Sequence, residues 1–400
     1  MAGKIRKVGN TYSFVVELPR TPDGKRRQKR RGGFKTKREA EIEQNKILKE
    51  LYQGSYTQPS DETLAEYLVC WLEDYVKNQN KPSTHSSYEY LLKSHVIPEL
   101  GNIPLARLQP AQLQQLYSQK LTSGRKDGKG GLSPTTVKRM HVVLNHALKT
   151  AVKWRKIPLN PADAVTPPRE TREEMKWWTT EQASKFLDNV DNLTYRALYT
   201  LALLTGLRRG ELLGLRWEDL NLEERYLTVN QSIVRLHSGE LVVQTPKTKQ
   251  SVRAVPLTEL AVSTLKEHKR LQAEHRLSLG SEYQNNDLVF ASETGTPIHP
   301  GNLLRNFKKA IEKANVPTIR FHDLRHSFSS WLIEDGQELI VISRMLGHSS
   351  ITVTSDIYGH IETRTLTEAV DPLDAKLKKT NQHSNEPQTV KEIAPIYLVS

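Results

Sequence analysis

Between Pro158 and Pro168 the chain reads PLNPADAVTPP, four prolines in eleven residues. Proline fixes φ and has no amide proton to donate, so neither a regular helix nor a central strand runs through such a segment. The spacing predicts an extended, semi-rigid strap. Any fold of these 400 residues is therefore partitioned around it, and a chain of this length holds two to three domains at roughly 150 residues each. Residues 157–178 are read as an interdomain linker. A helical region at 61–156 precedes it and a new globular unit, 179–378, follows it. That unit opens at Thr179, which with Gln182 three positions later offers a capping box.

Charge separates a further region at the N-terminus. The chain carries a net charge of +13, and residues 1–57 account for +9 of it with 15 Lys and Arg against 6 Asp and Glu. An excess of this size points to a polyanion as partner, with nucleic acid the best match. The densest run is Lys25 to Arg31, KRRQKRR, followed by Gly32 and Gly33. Upstream, Thr11 to Leu18 is aromatic and β-branched, as strands are, and Pro19 to Gly24 is turn material. The basic run is read as a second strand, with Gly32-Gly33 leading toward a short third one. Lys37 to Tyr52 has helical spacing, with Ala40, Ile47, Leu48 and Leu51 on one side. A flexible basic tail or a sorting signal would carry the same charge without strand alternation or an amphipathic helix behind it. A small basic sheet backed by a helix can enter a DNA major groove. Lys25, Arg26, Arg27, Lys29, Arg30 and Arg31 are its candidate contacts.

After a linker at Gln58–Ser60, four helices are expected. Leu64, Tyr67, Leu68, Trp71, Leu72 and Tyr75 mark the first. Pro82-Ser83 opens the second, and Pro110 opens the third. Ser133-Pro134 opens the fourth with an N-cap and a proline at the first helical position. Lys138, Arg139, Lys149, Lys153, Arg155 and Lys156 form a basic set that could face a phosphate backbone; a solvated helix face is the alternative. His85, His95, His141 and His146 read as packing or surface residues, with no metal spacing among them. One cysteine, Cys70, excludes an internal disulfide, a cysteine-based zinc cluster and a CxxC redox pair. No apolar run approaches the ~18 residues of a membrane span, and MAGKIRKVGN lacks the apolar stretch of a signal peptide. An intracellular protein is expected.

The third unit holds the groups that carry chemistry. In Leu204 to Leu215, LTGLRRGELLGL, Gly206 ends one helix and Arg208 begins the next, where donors and dipole favour an anion. Tyr226 to Arg235, Glu240 to Gln244 and Ser251 to Pro256 alternate as strands. The turn Thr245 to Gln250, TPKTKQ, projects Lys247 and Lys249. In Phe321 to Ser327, FHDLRHS, His322 and Arg325 lie three apart on one helical face, suited to gripping a phosphate. Met345 to Ser349, MLGHS, sets His348 just after Gly347, a helix stop. Ten residues on is Tyr358, in SDIYGH.

The ordered series TGLR, a turn lysine, HDLRH, LGH and a following IYGH tyrosine resembles the tyrosine recombinase, or phage integrase, family. The resemblance covers all three regions. Residues 1–57 resemble an arm-type DNA-binding domain of phage and conjugative-transposon integrases, and 61–156 resemble a core-site DNA-binding domain. It implies a multidomain α+β fold: a three-stranded sheet plus helix, a four-helix domain, and a mainly helical catalytic domain with a small antiparallel sheet. It implies that Arg208 and Arg325 grip the scissile phosphate and that Tyr358 is the nucleophile. Lys247 would protonate the leaving 5′-oxygen, with Lys249 the competing lysine. His322 would assist proton transfer, His348 would donate to a phosphate oxygen, and Glu211 would orient active-site groups. His326 reads as structural. Tyr397, in the tail 379–400, is a poor rival nucleophile because no motif surrounds it.

The chain shows no GxxxxGKS loop for ATP and no acidic cluster for a divalent metal, so no cofactor is expected. The resemblance further implies double-stranded DNA with core and arm sites, a homotetramer and a Holliday junction, in a bacterial cytoplasm; the need for an excisionase and a host DNA-bending protein stays open. Two rivals remain. A type IB topoisomerase shares the residue chemistry but has no use for an arm module, and a DNA-binding regulator has no use for the full catalytic set.

Overall fold

Strand alternation at Thr11 to Leu18 puts Tyr12, Phe14, Val16 and Leu18 on one face, and the first sheet is built on it. The computed structural model describes residues 3–18, 24, 26–52, 61–170, 175–245 and 252–347. Lys25, Lys247, Lys249, His348, Tyr358, Tyr397, the linker expected at 58–60 and the tail from 379 lie outside them. The described residues fall into two compact units, one up to residue 173 together with 236–240, the other formed by the remainder.

In the first unit β1 (Arg6–Val8), β2 (Thr11–Leu18) and β3 (Arg27–Phe34) form an antiparallel sheet in the order β1-β2-β3. The third strand is thus not the one expected after Gly32-Gly33. Those glycines lie inside β3, and the extra strand precedes β2 through a Gly9–Asn10 turn with Gly9 at φ +61°. A two-residue turn opening on a positive-φ glycine matches strand twist, a signal present in VGNT. Helix α1 (Lys37–Tyr52) covers one face, packing Ala40 and Ile47 against Phe14 and Val16.

The helical part of this unit contains four rods, two of them interrupted. The first runs through α2 (Leu64–Cys70), a π-helical turn (Trp71–Val76) and α3 (Lys77–Gln79). The second runs through α4 (Pro82–Leu91), a π turn (Leu92–Val96) and α5 (Ile97–Leu100). The second π turn has a local cause. Pro98 supplies no amide to Ser94, and the Ile97 N–H reaches back five residues to Leu92 O. Helices α6 (Pro110–Ser123) and α7 (Pro134–Lys153) complete the set, α7 capped by Ser133 accepting from Thr136 N. Tyr67, Trp71, Leu113, Met140 and Leu144 are fully buried between them.

The proline-rich strap is less free than expected. Pro161–Ala164 forms a 3₁₀ turn capped by Asn160, and Ile157, Ala162 and Val165 are buried in the same helical core. Its small and β-branched residues pack, while Leu159 stays exposed.

In the second unit Trp178 is the first buried residue among those described. Helices α8 (Thr180–Asp188), α9 (Leu193–Thr205) and α10 (Arg209–Gly214) lead into two small antiparallel sheets built from β4 (Leu220–Asn221), β5 (Tyr226–Val229), β6 (Ser232–Arg235), β7 (Leu241–Gln244) and β8 (Arg253–Pro256). The continuous strand expected over 226–235 is broken. β5 sits between β4 and β8, whereas β6 pairs with β7 in a separate two-stranded sheet among the described residues. At the break, Asn230 donates to Asp219 (2.8 Å) and Gln231 to Gly214 O (2.8 Å), drawing the chain out of the ladder. Helices α11 (Glu259–Leu279), α12 (Pro300–Ala314), α13 (Asp323–Glu334) and α14 (Leu339–Leu346) follow.

Trp178 joins the start of this unit to α13. Its backbone N–H donates to Ser327 Oγ (3.0 Å), its indole N–H to Pro317 O (2.7 Å), and its carbonyl accepts from the Trp331 indole (2.9 Å). Its ring is fully buried against Phe186 and Phe307. Trp178→Ala is expected to destabilise the protein by about 3–5 kcal/mol, read as a lower denaturant midpoint; a loss under ~1 kcal/mol would assign the packing of α13 to other residues.

Candidate active site

Two glycines set the frame. Helix α9 ends at Gly206 (φ +62°) and α14 at Gly347 (φ +64°), both in the left-handed region that side chains avoid. Space is as restrictive as φ. A Cβ on Gly206 would lie 2.6 Å from Phe328 Cδ1, and one on Gly347 would lie 2.9 Å from Arg253 Cδ. The two helix ends therefore approach α13 and β8 closely, and Arg208, the cap residue of α10, follows Gly206 directly after Leu207.

Arg208, Glu211, Arg253 and Arg325 converge there. The Glu211 carboxylate accepts from the Arg208 main-chain N–H (2.9 Å) and from Arg208 Nη1 (3.0 Å). On its other side it takes both arms of Arg253, Nη1 at 3.2 Å and Nη2 at 2.9 Å. Arg253 Nε donates to Met345 O at 2.7 Å. Arg325, buried in α13, gives Nη1 to Gly206 O (2.8 Å) and Nη2 to Leu346 O (2.7 Å). Arg208 Nη2 donates to Gly347 O at 3.2 Å. Arg208 and Arg325 thus contact consecutive carbonyls of the turn that leads to His348.

The electrostatics follow from this crowding. Burial alone would push the Glu211 carboxyl upward. The Arg253 hydrogen bonds and charge, then the charge and main-chain N–H of Arg208, outweigh it and hold the group at about 2. Glu211 is therefore a carboxylate near pH 7. Helix α10 has six residues, so its dipole is short, and the anion preference expected from the helix end comes chiefly from side chains. His322 occupies the cap position of α13, its ring set edge-on to His326 at 5.2 Å. Loss of hydration, then the charges of His326, Arg325 and Arg208, bring the His322 imidazole down to about 4 although the residue keeps a solvent-open side. It is a neutral donor or acceptor near pH 7.

The remaining expectations divide by position. Lys247, Lys249, His348 and Tyr358 lie outside the described residues. In the N-terminal sheet, register puts Arg30 opposite Val15 and Gln28 opposite Glu17, on the face away from α1, where Arg6 opposite Ser13 also lies. Arg27, Lys29 and Arg31 oppose Leu18, Val16 and Phe14 and share the helix-covered face. Arg26 pairs with Glu17 on the open side. In the helical part, Arg139 is exposed, Lys138 pairs with Glu170 at 3.1 Å, and both Glu62 oxygens engage Lys156 at 2.6 and 2.7 Å. Lys156 is thereby a structural ion-pair partner rather than an open cation.

Sequence reading missed Arg253 and Asp323. In SVRAVP, Arg253 alternates in phase with buried Val255, so an arginine on the core face of a strand was the available signal. Asp323 is buried and accepts from the Arg320 main-chain N–H at 2.7 Å, fixing the turn that carries His322. Among the described residues no group of three or more His, Cys, Asp or Glu side chains is placed to hold a metal ion, and no helix is long and apolar enough to cross a membrane.

Comparison with known proteins assigns this arrangement to a family. The profile of the phage integrase family matches residues 176–364, that of the phage integrase N-terminal SAM-like domain 63–121, and that of an arm DNA-binding domain 1–51. A tyrosine recombinase XerC-like protein of Caldanaerobacter subterraneus is 32% identical over 394 residues, covering 93% of this chain and 99% of the relative. The ICEBs1 integrase of Bacillus subtilis is 32% identical over 298 residues, covering 74% and 78%. The fold is shared with the Tn1549 transposon integrase in complex with a circular intermediate DNA, at a TM-score of 0.62 and 22% identity over 77% of this chain and 99% of that one. It is shared too with a lambda integrase dimer bound to a core site, at 0.54 and 20% over 88% and 93%. With the motifs in order, the fold in common and a relative matched nearly end to end, this chain belongs to the phage integrase family and is a site-specific DNA recombinase of the tyrosine type.

Proposed function

We propose that this recombinase integrates and excises a mobile DNA element of a bacterial host. The observation that supports the catalytic assignment best is the convergence of Arg208 and Arg325 on Leu346 O and Gly347 O, organised by Glu211. Two guanidinium heads held this way can take the non-bridging oxygens of one phosphate in exchange for carbonyls. Tyr358 Oη attacks the phosphorus, the P–O5′ bond breaks, and a 3′-phosphotyrosyl link forms. Lys247, with Lys249 as the alternative, gives a proton to the departing 5′-oxygen. His322, neutral near pH 7, takes the tyrosine proton and returns it, and His348 donates to a phosphate oxygen. Attack by a 5′-hydroxyl reverses the step on a new strand, so the bond energy is conserved and no nucleotide cofactor is required.

Residues 1–57 would bind arm-type sites, 61–156 core sites, and 179–378 would carry catalysis, with 157–178 as the linker and 379–400 as a tail for assembly. The integrase, SAM-like and arm DNA-binding profiles support this division, and the lambda integrase tetramer bound to a Holliday junction, which shares the fold, supports a tetrameric assembly. An excisionase and a host DNA-bending protein would set direction. In the arm module, the sheet face that α1 leaves open presents Arg6, Gln28 and Arg30, residue types that read phosphates and base edges.

A nicked suicide core-site duplex should trap a covalent adduct with the wild type, and Tyr358→Phe should form none while still binding DNA. An adduct persisting in that variant would move the nucleophile elsewhere.

Arg6→Ala and Arg30→Ala should each weaken binding to arm-site DNA and lower the salt slope by about one, with core-site binding unchanged. Footprinting and salt titration on flanking attachment DNA measure this, and an unaltered slope would reject the open face as the DNA face.

His322 yields a pH expectation. Its folded-state value of about 4 lies below the ~6.5 of an unfolded histidine. As pH falls from about 6.5 toward 4 the unfolded chain takes up a proton that the native state refuses, so stability is lost over that window. His322→Asn should lose less stability than the wild type between those limits in denaturant titrations. Equal losses would show that this imidazole titrates normally.

A further inference from the structure

Arg253 stands apart from the residues assigned to phosphate contact or proton transfer, yet it is buried beside them. Its three donor nitrogens are all engaged: two hold the Glu211 carboxylate and the third holds Met345 O. Its position in the chain is equally pointed. It opens β8, the strand that follows the Thr245 to Gln250 lysine segment, and its side chain spans to the turn that precedes His348. Gly347 has no side chain where Arg253 passes, since a Cβ there would meet Arg253 Cδ at 2.9 Å and Nη1 at 3.0 Å. A lysine has one nitrogen and could not bridge a carboxylate and a carbonyl on opposite sides in this manner. We propose that Arg253 is a positioning residue of the cleavage reaction: through Glu211 it aims the Arg208 guanidinium, and through Met345 O it sets the turn whose next two carbonyls receive Arg325 and Arg208.

The inference rests on the proposed role of Arg208 at the scissile phosphate. Its chemistry predicts more than lost packing. Glu211 is kept ionised mainly by Arg253. Without that partner the buried carboxyl takes up a proton at a higher pH, and a protonated Glu211 offers Arg208 a weaker and differently shaped acceptor. Arg208 then wanders from the geometry the transition state needs, and misplacement of this kind costs up to about 100-fold in rate.

The test is single-turnover cleavage of a suicide core-site duplex by the full-length protein, at saturating protein, from pH 5 to 8. Arg253→Met should cleave roughly 10- to 100-fold more slowly, with core-site affinity within about threefold of the wild type. It should also acquire an acid limb, its rate falling below about pH 6 where the wild-type rate does not. Arg253→Lys, which retains the charge and one donor, should restore part of the rate and move the limb to lower pH. A merely structural role predicts losses that track the unfolded fraction, recover on cooling and leave the pH profile parallel to the wild type. That result overturns the proposal. If Arg253→Met fails to fold, the Arg253→Lys profile decides, and a parallel profile again overturns it. Failure of the underlying reading looks different, because the wild type itself would then give no Tyr358-dependent adduct.

Discussion

The Glu211 carboxylate, held between Arg208 and Arg253, is the interaction on which the catalytic unit turns. It is nearly buried, so an isolated charge there would be expensive to hold out of water. Two guanidinium groups and one main-chain N–H meet it. Such a network contributes modestly to stability, since desolvation offsets much of the attraction. Loss of one member is severe because it strands the others. Its larger effect is geometric. A bidentate arginine–carboxylate contact has few alternatives, so α10, β8 and the end of α14 acquire a single relative arrangement from one side chain.

That arrangement explains how two arginines share one turn without collapsing onto one another. A guanidinium donates five hydrogen bonds and accepts none, so each buried arm needs an oxygen. Gly206 O, Leu346 O and Gly347 O meet that need. The glycines are what make those carbonyls reachable. A side chain at Gly206 would strike Phe328, and one at Gly347 would strike Arg253. The carbonyls are neutral and a phosphodiester is charged, so in the proposed reaction the exchange favours DNA with little movement of Arg208 or Arg325.

Much of this could be read from the chain because local rules and the global fold agree. Helix α1 runs over the residues whose spacing predicts it, and Ser133 and Thr179 cap α7 and α8. Gly206 and Gly347 end their helices in the left-handed conformation the motifs require. The differences arise from contacts that the local pattern of residues does not carry. β1 was overlooked because three residues of RKV carry little strand signal without the β2 pairing. The 226–235 strand breaks because Asn230 and Gln231 find partners in Asp219 and Gly214, which alternation cannot reveal. The strap packs because Ile157, Ala162 and Val165 find a core that proline content says nothing about. Arg253 is the clearest case. An arginine in a short strand reads as a solvated or DNA-facing cation until Glu211, 42 positions earlier, is placed against it.

Charge is therefore used in two ways along one chain. In the arm region it is plentiful and mostly exposed, as suits a term that scales with the number of phosphates neutralised and is screened by salt. At the catalytic centre it is scarce and balanced. Arg208, Arg253 and Arg325 carry three positive charges, and Glu211 removes one of them. In the proposed reaction the general-acid lysine adds one more positive charge, the phosphodiester brings one negative charge, and the pentavalent transition state brings up to two. A site matched to the ground state would bind DNA tightly and gain nothing in rate, because only interactions stronger in the transition state lower the barrier. An uncompensated third arginine would strengthen binding of the resting phosphate along with the transition state. By pairing with Arg253, Glu211 offsets the charge of the third arginine and assigns it to geometry instead of attraction.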